Sequence, residues 1–163
     1  LWPATSKALL MAFAFIGGCG GSTAGGVKVI RFWIAIKVML AQLEKAYRPS
    51  VVRPIHIGGS KVGADGTLAS VTYVLGFLIM TGLGWVLVQL FEPDDQCSAV
   101  TSLTASLSCI ANIGPGLDRV GAIQNYGWMT DPTKILLTIW MALGRLEFFA
   151  ILVLFTPRFW RGD

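Results

Sequence analysis

Apolar residues fall into five blocks along the chain, and the blocks come in two lengths. The longest is Thr67 to Phe91, TLASVTYVLGFLIMTGLGWVLVQLF, 25 residues without a charge. As a helix rising about 1.5 Å per residue, it can cross a hydrocarbon core about 30 Å thick. Ile135 to Phe155 gives a second span of 21 residues. Thr156 and Pro157 close it, followed by Arg158, Trp160 and Arg161, which suit a helix stop and an interfacial anchor. Val27 to about Arg48 is a third candidate, interrupted by Lys28, Arg31 and Lys37.

The remaining two blocks are half-length. Ala99 to Ala111, AVTSLTASLSCIA, is helix-compatible but only 13 residues long, so it can dip into a bilayer and come back but cannot cross. It ends in NIGPGL, Asn112 to Leu117, where Gly and Pro stop a helix and leave main-chain polar groups unpaired at membrane depth. Lys7 to Gly18 is equally short. It too runs into a glycine-rich break, GGCGGSTAGGVK (17 to 28), with six glycines in twelve positions, and then into a long helix. Two half-dipping helices, each ending in a break, make an internal repeat.

Composition agrees with a membrane protein. Of the 163 residues 54% are hydrophobic and 13% charged, and the mean hydropathy is +0.65, outside the soluble balance. The chain opens on Leu1 with no signal peptide ahead of it, which suggests a piece of something larger. The net charge of +4 is uneven: Lys45, Arg48, Arg53 and Lys61 sit in one linker, Arg158 and Arg161 in the tail, and Glu92, Asp94 and Asp95 in another loop. By the positive-inside rule the linker Glu44 to Lys61 and the tail are cytoplasmic, and EPDD (92 to 95) faces outward. Thr67 to Phe91 then leaves the cytoplasm and Ile135 to Phe155 returns to it. No basic patch is interleaved with exposed aromatics, so nucleic acid is not an expected partner. Cys19, Cys97 and Cys109 lack CxxC spacing and are odd in number, which suits small apolar fillers. Lone His56, beside Gly58 and Gly59, reads as a loop residue.

In lipid, irregular backbone is tolerated only inside protein or along a wet cavity, so STAGG after a short helix needs a reason. Glycine lets successive carbonyl oxygens point at one axis, where they can replace a cation's hydration shell. A half-length helix would aim the negative end of its dipole at the same ion. Other uses of the glycines fit less well. A Walker loop needs Lys and a hydroxyl directly after the second glycine, but Gly25 is followed by Gly26 and Val27. A dinucleotide fingerprint from Gly18 and Gly20 would need glycine where Thr23 stands. Close helix packing through small residues stays open.

FIGGCGGSTAGGVKVIRF (15 to 32), SLTASLSCIANIGPGL (102 to 117) and ALGRLEFFAILVLFTPRFWR (142 to 161) resemble the third filter, fourth filter and last helix of the TrkH and TrkG potassium-uptake proteins, relatives of KtrB. RPSVVRPIHIGGSKV (48 to 62) is similar to their cytoplasmic linker. The resemblance implies an all-α integral membrane fold with re-entrant pore helices and four helix, pore-helix, helix repeats around one pore. On it, residues 1–48 hold the pore helix, filter and second helix of repeat three, 49–64 the cytoplasmic linker, 65–156 repeat four and 157–163 the cytoplasmic tail. The filter strands would be Ser22, Thr23, Ala24, Gly25 and Gly26, and Ala111, Asn112, Ile113, Gly114 and Pro115, with potassium on the carbonyls of Thr23, Ala24, Asn112 and Ile113. Neither strand matches TVGYG, and in the family the looser filter goes with less absolute discrimination against sodium.

Arg145 lies mid-way along Ile135 to Phe155, where an arginine costs roughly 2.5–3.5 kcal/mol. It should face the pore or a partner, and the resemblance makes it a positive barrier below the filter. A packed arginine bonded to backbone carbonyls is the plainer alternative. Lys28 and Arg31, three apart, would share a helix face and tie the filter to its helix or fill a vestibule. The family's gating loop in this helix would fall within Ile30 to Gln42, a stretch without glycine. Glu92, Asp94, Asp95 and Asp118 either enrich cations at the outer mouth or are ordinary loop charges.

The function expected is potassium uptake, or symport, across a bacterial inner membrane, driven by the membrane potential, about 2.3 kcal/mol per charge per 100 mV, or by coupling to another ion. This is transport and not enzyme chemistry, with no cofactor and potassium as the ligand. The partners implied by the resemblance are the rest of the same pore protein, a second copy forming a homodimer, membrane lipid and a cytosolic nucleotide-binding regulatory subunit. The alternatives are a structural or assembly subunit of a membrane complex and a broken-helix secondary transporter of a small solute.

Overall fold

In the computed structural model, residues 3–22, 25–48, 55–93 and 97–146 are described, together with Val153, Phe159 and Trp160. Five helices carry the fold: α1 (Ala4–Ile16), α2 (Val29–Tyr47), α3 (Ala64–Phe91), α4 (Ala99–Ile110) and α5 (Asp131–Arg145). By length and composition α3, with 28 residues, is the one helix among the described residues fit to cross a membrane. It spans about 42 Å, whereas α1 and α4 reach only about 20 Å, too short to cross.

The helix bounds differ by a few residues from the sequence reading, and the starts of α3 and α5 have local reasons. α3 starts three residues before Thr67, and Asp65 in its first turn places negative charge at the positive end of the helix dipole. α5 starts at Asp131 instead of Ile135, because Thr130 in extended backbone precedes it, tied to Glu92, and Pro132 suits the first turn. Its described part stops at Arg145, so the rest of the expected span to Phe155 lies outside the described residues apart from Val153. α2 runs unbroken from Val29 to Tyr47. No interruption appears within Ile30 to Gln42, because a stretch without Gly or Pro has nothing to break its backbone ladder.

Among the described residues, the linker brings the one departure from all-helical secondary structure. His56–Ile57 (β1) and Ser60–Lys61 (β2) pair antiparallel, His56 opposite Lys61, around Gly58 and Gly59, both at positive φ. This is the two-residue turn whose twist matches the strands. Lys37 on α2 donates to the His56 carbonyl at 2.6 Å, so the hairpin is fastened to the middle of that helix.

α4 is the centre of the molecule: Thr101, Ser102 and every residue from Thr104 to Ile110 are buried. It packs between α3 and α5, and polar side chains hold the three together. Ser106 donates to the Thr81 carbonyl at 2.9 Å and Trp140 to the Met80 carbonyl at 3.1 Å. Interhelical hydrogen bonds of this kind suit an apolar medium, where burial of carbon between helices gains little. Within α3, Ser70 and Thr81 turn their hydroxyls back onto the carbonyls four residues earlier, at 2.7 and 2.8 Å. Phe15 of α1 meets Phe77 of α3 and Phe32 of α2 edge-on, with ring centroids 5.7 and 6.2 Å apart. Leu9 and Phe13 on α1, Trp33 and Leu40 on α2, and Leu68 and Leu90 on α3 are exposed.

Candidate functional site

Both breaks are built from the end of a half-length helix. α4 closes with its cap residue Ala111 followed by Asn112 at φ 54, and the Asn112 and Ile113 amides donate back to the carbonyls of Cys109 and Ser108 at 3.1 and 3.0 Å. This double bond pattern around a left-handed residue is the Schellman closure, with asparagine in place of glycine. The chain leaves it turned away from the helix axis. α1 closes at Gly17, whose amide donates to the Phe13 carbonyl at 2.9 Å. The break then folds back on that end: Gly18 accepts from the first amide of α2, Val29, at 3.1 Å. One of the orphan donors of α2 is therefore satisfied by the break itself.

The two breaks meet. A Cβ placed on Gly25 would lie 2.7 Å from the Ala111 oxygen and 3.1 Å from the Asn112 amide nitrogen, so only glycine lets the first strand pass this close to the second. On the other side, a Cβ on Gly144 of α5 would run into the Ile110 oxygen and lie 3.0 Å from the same Asn112 nitrogen. Asn112 is thus flanked by both glycines, and its side-chain amide donates to the Met141 carbonyl at 3.1 Å. A cavity of about 940 Å³ opens where the strands meet, with Gly17, Gly18 and Gly25 on one wall and Ala111, Ile113 and Pro115 on the other. Lys7 and Asp118 line it too, near the helix starts.

The candidate residues separate into groups. Gly25, Ala111, Ile113 and Pro115 line the cavity, while Gly26 is buried behind Gly25 and packs on Gly17. Ser22 donates its amide to the Cys19 carbonyl at 2.9 Å, and Thr23 and Ala24 lie outside the described residues. No hydrogen bond from the described residues ends on the carbonyls of Asn112 or Ile113. The Gly114 and Pro115 carbonyls, in contrast, accept from the Tyr126 and Ser108 hydroxyls at 2.8 and 2.9 Å.

The three basic candidates stand off the cavity wall. Lys28 holds the N-cap position of α2 at φ 66, ahead of the first helical residue, so the shared helix face expected of Lys28 and Arg31 does not form. Arg31 lies over the Tyr73 ring of α3, 4.0 Å from its centroid, a cation on an aromatic face. Arg145 is exposed in the last turn of described α5, directly after Gly144, which packs beneath the second break. Two of the acids are structural. Glu92 is buried, and its carboxylate accepts from the Thr130 amide and hydroxyl at 2.8 and 2.9 Å, tying the end of α3 to the start of α5. Asp118 accepts from the Thr101 and Ser98 hydroxyls at 2.7 and 2.8 Å, and these bonds hold its carboxyl below the usual aspartate range. Asp94 and Asp95 lie outside the described residues. Sequence reasoning passed over Ser98, Thr101, Ser108 and Tyr126, whose partners lie at distances no periodicity encodes. The capping motif Ser98 to Thr101 was the one local signal.

One apolar helix long enough to cross a membrane and two half-length ones, whose broken ends converge on a cavity, suit an integral membrane protein. Comparison with known proteins gives the family. The TrkH family, described as "Cation transport protein", matches residues 1–161. The Trk system potassium uptake protein TrkH of Halomonas elongata is 39% identical over 98% of this chain and 32% of its own length. TrkH of Escherichia coli K12 is 38% identical over the same shares. The crystal structure of the potassium transporter TrkH from Vibrio parahaemolyticus superimposes with a TM-score of 0.77 at 32% identity, covering 98% of this chain and 33% of that one. The chain belongs to the TrkH family, and spans about a third of the length of these relatives.

Proposed function

We propose that this chain supplies two of four filter strands to a potassium-uptake pore. The meeting of Gly25 with Ala111 and Asn112, at the ends of two half-length helices and beside one cavity, is the observation that supports this reading. Carbonyls of Thr23, Ala24, Asn112 and Ile113 then take the place of a potassium ion's water. The names of the relatives, potassium uptake proteins throughout, point the same way. Residues 1–48 act as part of repeat three and 65–156 as repeat four, joined by the linker 49–64, and the rest of the pore protein provides the other strands.

The pore sits in a bacterial inner membrane, with the linker and tail 157–163 on the cytoplasmic side, as their basic charge suggests. It pairs as a homodimer, and a cytosolic nucleotide-binding subunit regulates it, for which the hairpin at 56–61 offers a docking surface. Arg145, one residue past the contact of α5 with the second break, is the barrier to cations. Lys28 and Arg31 fix the start of α2 relative to the first strand.

The test is rubidium uptake into liposomes carrying the complete transport protein, with sodium and potassium as competitors. Gly25→Ser or Gly114→Ser should lower the preference for potassium over sodium about tenfold, equivalent to about 1.4 kcal/mol. Unchanged discrimination in both variants, or no rubidium uptake by the unmodified protein, would refute the assignment.

A further inference from the structure

Carbonyl oxygens discriminate between ions only if the strand carrying them is held, because a free backbone can turn its oxygens to suit another ion. The second strand is held by two side-chain hydroxyls. Tyr126, twelve residues downstream of Gly114, donates to its carbonyl at 2.8 Å. Ser108, seven residues upstream of Pro115, donates to that carbonyl at 2.9 Å. Ser108 is buried on α4, and Tyr126 is half-buried against the main hydrophobic cluster. Neither lines the cavity, so each hydroxyl engages its carbonyl from outside the cavity wall. The carbonyls of Asn112 and Ile113, one step earlier, accept nothing from the described residues. From Asn112 to Pro115 the strand therefore divides into two oxygens that accept a side-chain hydroxyl and two that accept nothing from the described residues.

Resting on the filter reading above, we propose that Tyr126 and Ser108 are positioning residues for ion selection: a two-point clamp that withdraws the Gly114 and Pro115 carbonyls and thereby fixes the spacing of Asn112 and Ile113. Other bonds continue the fastening outward. The Leu117 amide donates to the Thr104 hydroxyl at 3.0 Å, and the Gly116 amide to the Val120 carbonyl at 2.7 Å. These leave the strand no slack beyond the clamp, so loosening either hydroxyl would be felt at the free carbonyls.

Tyr126→Phe removes one oxygen and keeps the ring with its packing, and Ser108→Ala removes the other hydroxyl independently. In the complete transport protein, reconstituted in liposomes, each should lower potassium over sodium discrimination about three- to tenfold, as expected for one lost hydrogen bond. The melting temperature in detergent should shift little, since a purely structural role would move stability and leave discrimination alone. Gly114→Ser is measured alongside. Unchanged discrimination in Tyr126→Phe and Ser108→Ala with a loss in Gly114→Ser overturns the clamp and leaves the filter reading standing. Unchanged discrimination in all three overturns both. If one of the two hydroxyl variants does not fold, the other decides alone.

Discussion

Asp118 combines a left-handed backbone, φ 57, with a carboxylate that accepts hydrogen bonds from the Ser98 and Thr101 hydroxyls at the start of α4. Aspartate and asparagine are among the few side chains that tolerate this conformation, so Asp118→Asn removes the charge without adding backbone strain. The residue staples the outgoing end of the second strand to the start of the helix that delivers it. Because its hydrogen bonds depress the folded-state pKa, its contribution to stability is complete above the ordinary aspartate value of 3.8 and is lost as the pH falls through the lower folded value. At neutral pH, Asp118→Asn should melt about a few degrees below the unmodified protein. The gap should close as the pH is taken below 3.8, and a gap independent of pH would show that the charge is not what matters.

At the scale of elements, the crossing of α3, α4 and α5 depends on Gly84. A Cβ there would collide with the Ser106 hydroxyl and the Trp140 indole nitrogen, the two groups that carry the interhelical bonds to Thr81 and Met80. Gly84→Ala should therefore cost about 1–3 kcal/mol, by overpacking and by displacing those donors, and lower the melting temperature accordingly. Unaltered thermal stability would mean that the crossing can relax. These helices were legible in the sequence because length and lack of charge are local properties: Thr67 to Phe91 and Ala99 to Ala111 recur as α3 and α4 with small shifts at the ends. Where legibility failed, a local cue was outweighed or a partner lay far off. Thr130 and Pro132 mark the start of α5, but the reading began at the first apolar residue, Ile135. Gly58–Gly59 carried a hairpin signal that the basic charge of the linker obscured. Glu92 reads in the sequence as either a charge at the outer mouth or an ordinary loop charge, because Thr130, its partner, is 38 residues away. Tyr126 and Ser108 show the same limit at the candidate site: chain position alone does not say which carbonyl a hydroxyl will reach.

Across the whole molecule, the cavity is walled by two breaks, and apolar side chains such as Phe13, Trp33 and Leu90 are exposed. Lipid and the remaining two-thirds of a protein the length of its relatives would cover these faces and close the passage, which is the arrangement we propose. The proposed pore depends on one geometric claim, that oxygens from residues 23–24 and 112–113 face a common ion. Anomalous scattering from crystals of the complete transport protein grown in rubidium tests it most directly. The account predicts a rubidium peak within coordination distance of the Asn112 and Ile113 carbonyls and of their counterparts at Thr23 and Ala24. A fully occupied peak elsewhere along the passage, with these carbonyls turned from it, would contradict the account.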